Sequence, residues 1–423
     1  MNGRPQPSKV PARESVDVAI IGGGPAGLAA ALGARRSGAG RVLVIERERR
    51  LGGILNQCIH DGFGLFLYGE SMSGPEYAER LGGDVDREDV RYETESMVLD
   101  LGSDRVLRVN SRKGYRMVEA GSVVLSMGCR ERTREMIEIP GSRPAGIFTA
   151  GQAQNLVNLQ NIRLGNEAVI LGSGDVGLIM ARRLLFEGMS VKGVFEIMPW
   201  PGGLERNVRQ CLRDFGIPLE LSSTAVEIRG RDRVEGVVVA RVDEALRPIA
   251  GTEKAVSCDT LLLSVGLIPE NELSRRAGIE LSPLTGGAVV DDALMTSVPG
   301  VFACGNVLHI HDVADWASFE GFKAGESAAR YVTGKLPAGP KIGIKPGTDV
   351  RYTLPHFVRP EAERAEISFR VSRPLRGRTV VVRGRESGNI LSSRKGLRLV
   401  PSELQKAEVK GPFTEDLEVE CHE

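Results

Sequence analysis

The sequence is poor in the residue arrangements that bind structural metals or form disulfide frameworks. Its six cysteines are spread over 423 residues, without a Cys-x-x-Cys pair and without the spacing to histidine that is typical of zinc sites. Structural zinc and iron–sulfur clusters need several closely spaced ligands, and disulfide-stabilised domains need many cysteines in a short chain. We therefore expect no metal site and no disulfide framework.

Aromatic residues make up only 5% of the chain, and neither sign of charge is in excess, with 55 Lys and Arg against 55 Asp and Glu. No block of basic residues is interleaved with aromatics, which argues against binding to nucleic acid or to an anionic membrane surface. Apolar runs stay short of the roughly 18 residues of a membrane span, and the N-terminus lacks the apolar run of a signal peptide. We expect a cytoplasmic protein that binds a small molecule or another protein.

The length predicts two to three domains of roughly 150 residues each. Hydrophobic residues at 41% and charged residues at 26% are typical of a globular protein. Long disordered segments are therefore not expected.

The strongest signal is an internal repeat. An apolar run, Val16–Ile21, leads into a glycine turn, an Ala- and Leu-rich helix, a second apolar run and an acid. The turn and the acid are Gly22, Gly24, Gly27 and Glu46 in the first copy, and Gly172, Gly174, Gly177 and Glu196, each 150 positions later, in the second. Each copy is followed by a further apolar strand that ends Ser-x-Gly, at Gly128 and Gly266. These strands should lie in the same parallel sheets as the glycine turns.

The residue types of each copy suit a dinucleotide. The first glycine permits a tight turn, the second lets backbone N–H groups approach a pyrophosphate, and the third lets the helix pack close to the strand. The pyrophosphate then lies at the helix N-terminus, where free N–H groups and the helix dipole favour an anion. An acid about 20 residues later accepts hydrogen bonds from ribose hydroxyls. One such turn is weak evidence, but two in full strand–helix–strand context predict two dinucleotide sites.

The two turns and a late segment, Gly300–Asn306, resemble the flavoproteins with two dinucleotide-binding domains, the superfamily of thioredoxin reductase and glutathione reductase. The resemblance covers residues 16–335 and implies FAD at the first turn, NADH at the second, and contact of the late segment with the ribityl chain of FAD. The residues it implies for FAD are Gly22, Gly24, Pro25, Ala26, Gly27, Glu46, Arg47, Gly53, Gly128, Gly305 and Asn306. Those it implies for the nicotinamide dinucleotide are Gly172, Gly174, Asp175, Val176, Gly177, Glu196 and Gly266.

NADH is expected rather than NADPH. Glu196 would face the ribose, where a carboxylate repels a 2′-phosphate, and the following Ile197–Trp200 offers no Arg or Lys to pair with one.

The sequence departs from the superfamily pattern at two points. Asn306 stands where an Asp is usual, and the redox-active cysteine pair is absent, so direct reduction of a disulfide is disfavoured. Four segments resemble a branch of the superfamily that lacks the cysteine pair. This branch includes the flavoprotein encoded beside bacterial FAD-dependent glycerol-3-phosphate dehydrogenases. Its relatives include subunits of opine oxidase, hydrogen cyanide synthase and sarcosine oxidase. These segments are Gly52–His60, Gly74–Tyr77, Cys129–Arg132 and Asn306–Asp312. The resemblance implies an electron-transfer subunit that works with another flavoprotein.

Several residues could carry chemistry or simply fill space. Cys58 follows the glycine doublet Gly52–Gly53, close to the expected flavin, and could form a sulfenate. No base or second cysteine is evident nearby. Cys129 and Cys304 are interpreted as small core residues. A run of polar residues, His309, His311, Asp312 and Asp315, is predicted to open a helix, and the resemblance implies that the N-terminus of this helix points toward the flavin. A metal site there is the less favoured interpretation, since no fourth ligand is evident.

The expected fold class is α/β, with two Rossmann-like domains, the NADH domain inserted in a discontinuous FAD domain, and a small β-rich C-terminal domain. The expected boundaries are a flexible extension over 1–15, the FAD domain over 16–150 and 275–338, the NADH domain over 151–274 and the C-terminal domain over 341–423. Three short runs predict strands in the last, namely Ile367–Val371, Thr379–Val382 and Leu397–Val400. This domain could be a docking surface or a stabilising cap.

Three functions remain open from the sequence. The leading one is exchange of hydride between NAD(H) and FAD, with electrons passed to or from a partner, for instance a flavoprotein of the glycerol-3-phosphate dehydrogenase type. The second is a stand-alone NADH oxidase that uses oxygen. The third is a silent scaffold that binds nucleotides only to stabilise a partner.

Overall fold

The computed structural model of the protein describes residues 12–337 and 339–422. The helices are α1 Pro25–Arg36, α2 Gly74–Arg87, α3 Ala150–Asn158, α4 Asp175–Phe186, α5 Glu205–Asn207, α6 Glu272–Arg276 and α7 Ala314–Val332. The first strands are β1 Ala12–Ile21, β2 Val42–Ile45, β3 Arg91–Glu93, β4 Ser96–Leu101, β5 Val106–Ser111, β6 Gly114–Leu125, β7 Cys129–Glu131 and β8 Ile147–Thr149. The next are β9 Glu167–Leu171, β10 Ser190–Phe195, β11 Leu219–Glu220, β12 Ser223–Gly230, β13 Val234–Arg241, β14 Lys254–Ser257, β15 Thr260–Leu263, β16 Leu267–Pro269 and β17 Val301–Ala303. The last are β18 Ile342–Pro346, β19 Val350–Leu354, β20 Phe357–Val358, β21 Arg364–Val371, β22 Leu375–Gly384, β23 Ile390–Leu399, β24 Gln405–Lys410 and β25 Leu417–His422.

The first sheet has the order β3-β2-β1-β6-β5-β4, with β17 beside β6. Strands β3, β2, β1, β6 and β17 run parallel, and the apolar residues from Val16 of β1 onward, in β2, in β17 and at the end of β6 are buried. Since β17 and α7 return to this sheet after the whole middle part of the chain, the first unit is built from two separate segments.

Strand β1 begins four residues earlier than the apolar run at Val16 predicts. Ala12–Ser15 pairs with Arg116–Glu119 of β6, so these four residues are ordered and not part of a flexible extension. The remainder of the expected extension, residues 1–11, lies outside the described residues. Backbone pairing, which needs no apolar side chains, extends the strand.

The middle sheet has the order β11-β10-β9-β15-β8 and is parallel throughout. The antiparallel sheet β12-β13-β14 covers one of its faces, while α3 and α4 pack on the other. The two apolar strands that end Ser-x-Gly pair with the strands of the glycine turns, β6 with β1 and β15 with β9, which confirms that prediction.

Helices α1 and α7 touch backbone to backbone. A Cβ added to Gly321 would lie 2.1 Å from the carbonyl oxygen of Ala26, and one added to Gly325 would lie 1.9 Å from that of Ala30. Only glycine fits at these contacts, and the close approach packs the first half of α1 against the middle of α7.

The last strands form a separate β unit, here called the C-terminal β unit and comprising residues 342–422. Its sheets have the orders β20-β18-β25-β22-β23 and β19-β21-β24 around a shared apolar core. The three predicted strands lie within β21, β22 and β23, except that the third ends at Leu399 rather than Val400. The segment 335–341 precedes the unit, with residue 338 outside the described residues.

Ion pairs attach the C-terminal β unit, and Lys341 just before it, to the first unit. Arg359 forms a bidentate pair with Asp292, at 2.9–3.1 Å, and Lys341 pairs with Asp291 at 2.8 Å.

No helix within the described residues is long and apolar enough to cross a membrane.

Candidate functional site

The first glycine turn leaves room at the start of α1. Gly22 has φ +105°, and a Cβ on Gly27 would lie 1.9 Å from the carbonyl oxygen of Gly22, so the turn requires glycine at both positions. Gly24 caps α1, and a Cβ added there would meet no atom within 4 Å. Free N–H groups at the start of α1 therefore face open space, which suits a phosphate group.

Glu46 is tied to the same turn. Its Oε2 accepts a hydrogen bond from the Gly23 N–H at 2.6 Å and its Oε1 accepts one from the Glu48 N–H at 2.7 Å. A carboxylate offers about four acceptor positions, so about two remain for a ligand. Glu46 is only 5% exposed, so burial and these bonds fix the carboxylate beside the turn.

The second turn repeats the arrangement. Gly172 has φ +86°, and a Cβ on Gly177 would lie 2.5 Å from the Cβ of Ser264. Oε2 of Glu196 accepts hydrogen bonds from the N–H and the hydroxyl of Ser173, at 2.9 and 2.6 Å, and its Oε1 accepts one from the Met198 N–H at 2.9 Å. The structure thus places both sequence-predicted acids next to their own glycine turns.

Asp175 holds a neighbouring loop rather than projecting freely. Its Oδ1 accepts hydrogen bonds from the Leu204 N–H at 2.8 Å and from the Asn207 amide at 2.7 Å. Burial raises the pKa of its carboxyl, while those two bonds oppose the shift. Asp175 therefore fixes the loop after Glu196 against the second turn.

The residues implied for FAD meet at the carboxyl ends of β1, β6 and β17, where ligands bind in open α/β sheets. A Cβ on Gly305 would lie 2.6 Å from the Cβ of Ala26, and one on Gly53 would lie 3.2 Å from the Cα of Gly24. The Asn306 amide reaches the Cys129 sulfur at 3.5 Å. Glycine at these two positions lets the segments pack closely around the start of α1, and this cradle leaves the open space at Gly24, so the residues present fit a dinucleotide.

The remaining implied residues surround the two turns. Pro25 starts α1 and Val176 lies in the first turn of α4, while Gly128 and Gly266 follow β6 and β15 with positive φ. Arg47 is exposed, and its nearest described partner is Glu48 at 3.6 Å. No described contact directs Arg47 into the cradle.

Cys58 is not set up as a nucleophile. Its thiol lies 3.3 Å from the Ile54 carbonyl oxygen and 3.6 Å from the Gln154 side-chain oxygen, both acceptors. Burial raises the pKa of the Cys58 thiol to about 12 and that of the Cys129 thiol to about 11. The neutral thiol, rather than the reactive thiolate, therefore dominates at both positions.

The histidine pair lies before α7 rather than on it, which corrects the prediction that the pair opens a helix. The helix begins at Ala314, and His309 and His311 occupy the preceding loop. Nε2 of His309 lies 3.1 Å from Oε1 of Glu320, and Nε2 of His311 lies 3.5 Å from Oε2. Glu320, on α7, is a site residue that the sequence analysis missed.

These three side chains could in principle hold a metal, since their ligand atoms lie within 4.8 Å of one another. However, Oε2 of Glu320 also accepts the Gly305 N–H at 2.6 Å, and Nδ1 of each histidine has a partner of its own, Tyr352 for His309 and Asn306 for His311. Hydrogen bonds alone satisfy the cluster, which favours a polar network over a metal site.

A second group that the sequence analysis missed joins the two nucleotide-binding units. The Gln57 side chain bonds to Gln154 and Asn155 of α3, at 3.0 and 3.1 Å, and Asn158 donates to the Gln57 carbonyl oxygen at 2.9 Å. This amide cluster fixes α3 against the segment that follows Gly53.

Sequence comparison finds relatives for much of the chain. Residues 16–321 match the profile of the pyridine nucleotide-disulphide oxidoreductase family. The HcnB subunit of hydrogen cyanide synthase from Pseudomonas protegens is 26% identical over 347 residues, which cover 77% of this chain and 70% of that protein. An opine oxidase subunit from Rhizobium meliloti is 30% identical over 295 residues, or 64% of this chain and 53% of that protein.

Solved structures share the fold. Thioredoxin reductase of T. acidophilum gives a TM-score of 0.62 at 24% identity, over 75% of this chain and 98% of that one. A NAD-dependent persulfide reductase of A. fulgidus gives 0.58 at 21% identity, over 87% of this chain and 67% of that one. These likenesses confirm the expected fold class.

Proposed function

The chain belongs to the pyridine nucleotide-disulphide oxidoreductase family, and on that premise we propose that it carries electrons between a nicotinamide dinucleotide and a partner protein through bound FAD. It is an FAD-dependent NAD(P)H oxidoreductase. The observation that carries the proposal is the pair of equivalent glycine turns, each with its buried glutamate, in a chain whose cysteines show no redox-pair spacing and are all free.

FAD is assigned to the first turn, in a unit formed by residues 16–150 and 275–338. The open space before Gly24 would take its pyrophosphate, and Glu46 has acceptor positions left for its adenosine ribose. When bound, FAD supplies the redox chemistry, accepting a hydride from reduced nicotinamide or giving one back. This chain supplies the binding, the orientation and the charges around it.

NADH is assigned to the second turn, in the unit formed by residues 151–274. The buried carboxylate of Glu196 would meet the adenosine ribose, and Ile197–Trp200 brings no positive charge for a 2′-phosphate. The amide cluster of Gln57 and α3 then fixes how the nicotinamide dinucleotide approaches the first unit.

A partner protein is proposed as the route for electrons beyond FAD. Two of the relatives bear the names of enzyme subunits, and the thiols of Cys58 and Cys129 are kept protonated by burial. A flavoprotein of the glycerol-3-phosphate dehydrogenase type is the first partner to test. The reason is that the four segments beginning at Gly52, Gly74, Cys129 and Asn306 resemble the flavoprotein encoded beside such a dehydrogenase.

The test is an anaerobic titration of the purified protein. We expect a yellow protein that releases FAD on denaturation, is bleached by one equivalent of NADH, and then stops consuming NADH until the partner, a dye or oxygen is added. Release of FMN alone would refute the first-turn assignment. Rapid reoxidation in air without a partner would instead support the oxidase, and a colourless protein that cannot be loaded with FAD would contradict both.

A matched pair of glycine variants locates the FAD site. Gly24→Ala places a methyl group in the open space before α1, so we expect the apoprotein to fold normally but to lose FAD affinity at least tenfold. Gly82→Ala, in α2, also adds a Cβ that meets nothing within 4 Å and should leave FAD binding unchanged. Equal FAD affinity in the two variants would contradict the assignment.

A further inference from the structure

A chain of hydrogen bonds and one ion pair, between His311 and Glu320, runs from the late glycine segment into the C-terminal β unit. It passes from Asn306 through His311, Glu320 and His309 to Tyr352, and from there to Arg370. Tyr352 lies on β19 and Arg370 on β21, so the last two members belong to the C-terminal β unit. Both histidine side chains are nearly fully buried.

The contacts of His311 favour one protonation state. Its backbone N–H donates to Oδ1 of Asn306 at 2.9 Å, which identifies that oxygen as an acceptor. Nδ1 of His311 faces the same oxygen at 3.2 Å, while Nε2 faces Oε2 of Glu320 at 3.5 Å. Because both ring nitrogens face acceptors, these contacts favour a ring with hydrogen on both nitrogens, which is an imidazolium.

The rest of the chain gives a neutral His309. The Tyr352 oxygen accepts from Nε of Arg370 at 3.1 Å, so its hydroxyl is free to donate to Nδ1 of His309 at 3.3 Å. Nε2 of His309 then donates to Oε1 of Glu320. Burial lowers the pKa of His309 to about 4, which agrees with a neutral ring.

Glu320 is the counter-charge. Burial alone would raise its pKa, but the charge of His311 and hydrogen bonds from both rings hold the pKa well below the usual range. The ion pair of His311 and Glu320 therefore lies directly behind Gly305 and Asn306, the segment assigned to FAD.

The C-terminal β unit holds this arrangement in place. Arg370 donates to Asp312 at 2.7 Å, to the Ile310 carbonyl oxygen at 2.9 Å and to the Pro401 carbonyl oxygen at 3.0 Å. Asp312 also accepts the Leu404 N–H at 3.1 Å. The loop that carries His311 is thus bonded on both sides of that residue to the C-terminal β unit.

We propose that the His311–Glu320 ion pair sets the reduction potential of bound FAD, and that the C-terminal β unit positions the pair through Tyr352 and Arg370. This inference rests on the proposed FAD site. A hydride brings two electrons and one proton to the flavin, so the reduced ring gains a negative charge unless it takes up a further proton. His311 favours that charge and Glu320 disfavours it. Both act as positioning and charge-setting residues, and neither has to touch substrate.

The first experiment tests the charge of His311 without FAD. In apoprotein labelled with ¹⁵N in its histidine rings, we expect a doubly protonated spectrum for His311 and a neutral ring with hydrogen on Nε2 for His309 at pH 7.5. Signals are assigned by their loss in His311→Gln and His309→Gln. A neutral ring at His311 would overturn the proposal, whether or not the protein binds FAD.

The second experiment measures the midpoint potential of the FAD-loaded protein. His311→Gln leaves the Glu320 charge unbalanced and should lower the potential, whereas Glu320→Gln should raise it, each by at least a tenfold change in the ratio of reduced to oxidised flavin, about 30 mV for a two-electron couple. His422→Gln removes an exposed histidine and should change nothing.

Opposite shifts in the two variants are the signature of an electrostatic role. Shifts of the midpoint potential in the same direction, or no shift in either variant, would refute the proposal. Damage to the fold would not be expected to move the potential in opposite directions according to the sign of the charge removed. Arg370→Lys supplies the positioning test: loss of the planar fork should broaden the His311 ring signals in the apoprotein. Unchanged signals would remove the C-terminal β unit from the proposal.

Discussion

Replacing Glu196 by glutamine should weaken the preference of the enzyme for NADH over NADPH. The substitution keeps the size of the side chain and one acceptor oxygen while removing the charge. In the wild-type protein that charge is fixed, since Glu196 is 6% exposed and both of its oxygens accept hydrogen bonds from Ser173 or Met198. The carboxylate cannot swing away to make room for a 2′-phosphate.

The size of the preference follows from Coulomb's law. At a separation of about 5 Å and an effective dielectric of about 20, two like unit charges repel by about 3 kcal/mol. Since about 1.4 kcal/mol corresponds to a factor of ten, the wild-type ratio of kcat/KM for NADH over NADPH should be on the order of a hundredfold. In Glu196→Gln we expect this ratio to fall below about tenfold, mainly because kcat/KM for NADPH rises.

The assay follows flavin reduction by each nucleotide under anaerobic conditions, at low and high ionic strength. Glu46→Gln is the matched variant at the first turn, and it should weaken FAD binding without changing the ratio of the two nucleotides. Equal kcat/KM for NADH and NADPH in the wild-type protein would refute the reasoning. An unchanged ratio in Glu196→Gln would place the source of discrimination elsewhere.

Three further predictions concern thiol, backbone and pH. Cys58→Ser should leave the rate of flavin reduction by NADH within about twofold, because a thiol with a pKa of about 12 is about 10⁻⁵ thiolate at pH 7; loss of dye-linked turnover with FAD still bound would show a redox role. Gly27→Ala should fail to fold or lose several kcal/mol in urea unfolding, because its Cβ would lie 1.9 Å from a carbonyl oxygen; normal stability would contradict the turn geometry. Burial lowers the pKa of both His309 and His356 to about 4. As pH falls below about 6.5, these histidines therefore bind protons in the unfolded chain before they do so in the folded one. The free energy of unfolding should fall toward pH 4 by up to about 3 kcal/mol per histidine. A weaker pH dependence in His356→Gln, but not in His422→Gln, checks this, and an identical dependence in both would contradict it.

The parts of the site that could be predicted from the sequence are those set by local pattern. Strand, glycine turn, helix, strand and acid follow one another within about 30 residues, so Glu46 and Glu196 could be placed beside their turns from spacing alone. The parts that could not be predicted depend on contacts between distant residues. Gln57 meets α3 almost a hundred positions later, and no periodicity marks such a pair.

The helix at the late segment shows how tertiary contacts override a local pattern. The polar run from His309 predicts a helix start, but the chain delays it to Ala314. The N–H of His311 is taken by Asn306, and the carbonyl oxygen of Ile310 is taken by Arg370, so these groups are not available for helix hydrogen bonds. Arg370, which takes the Ile310 carbonyl oxygen, belongs to the C-terminal β unit. The superfamily pattern has no counterpart of this unit, so the contact could not be predicted from it.

In both copies of the repeat a glycine N–H donates a hydrogen bond to the glycine turn, but the acceptor atom differs between the copies. This difference fits their proposed ligands. In the first copy the Gly52 N–H donates to the Gly23 carbonyl oxygen at 2.7 Å; in the second the Gly202 N–H donates to the Ser173 hydroxyl at 2.8 Å. That hydroxyl also donates to Glu196, so the second acid has one more internal partner than Glu46. Glu46 keeps more acceptor capacity for a ribose, as a cofactor retained through turnover requires. Glu196 keeps less, as suits a nucleotide that must leave after each reduction.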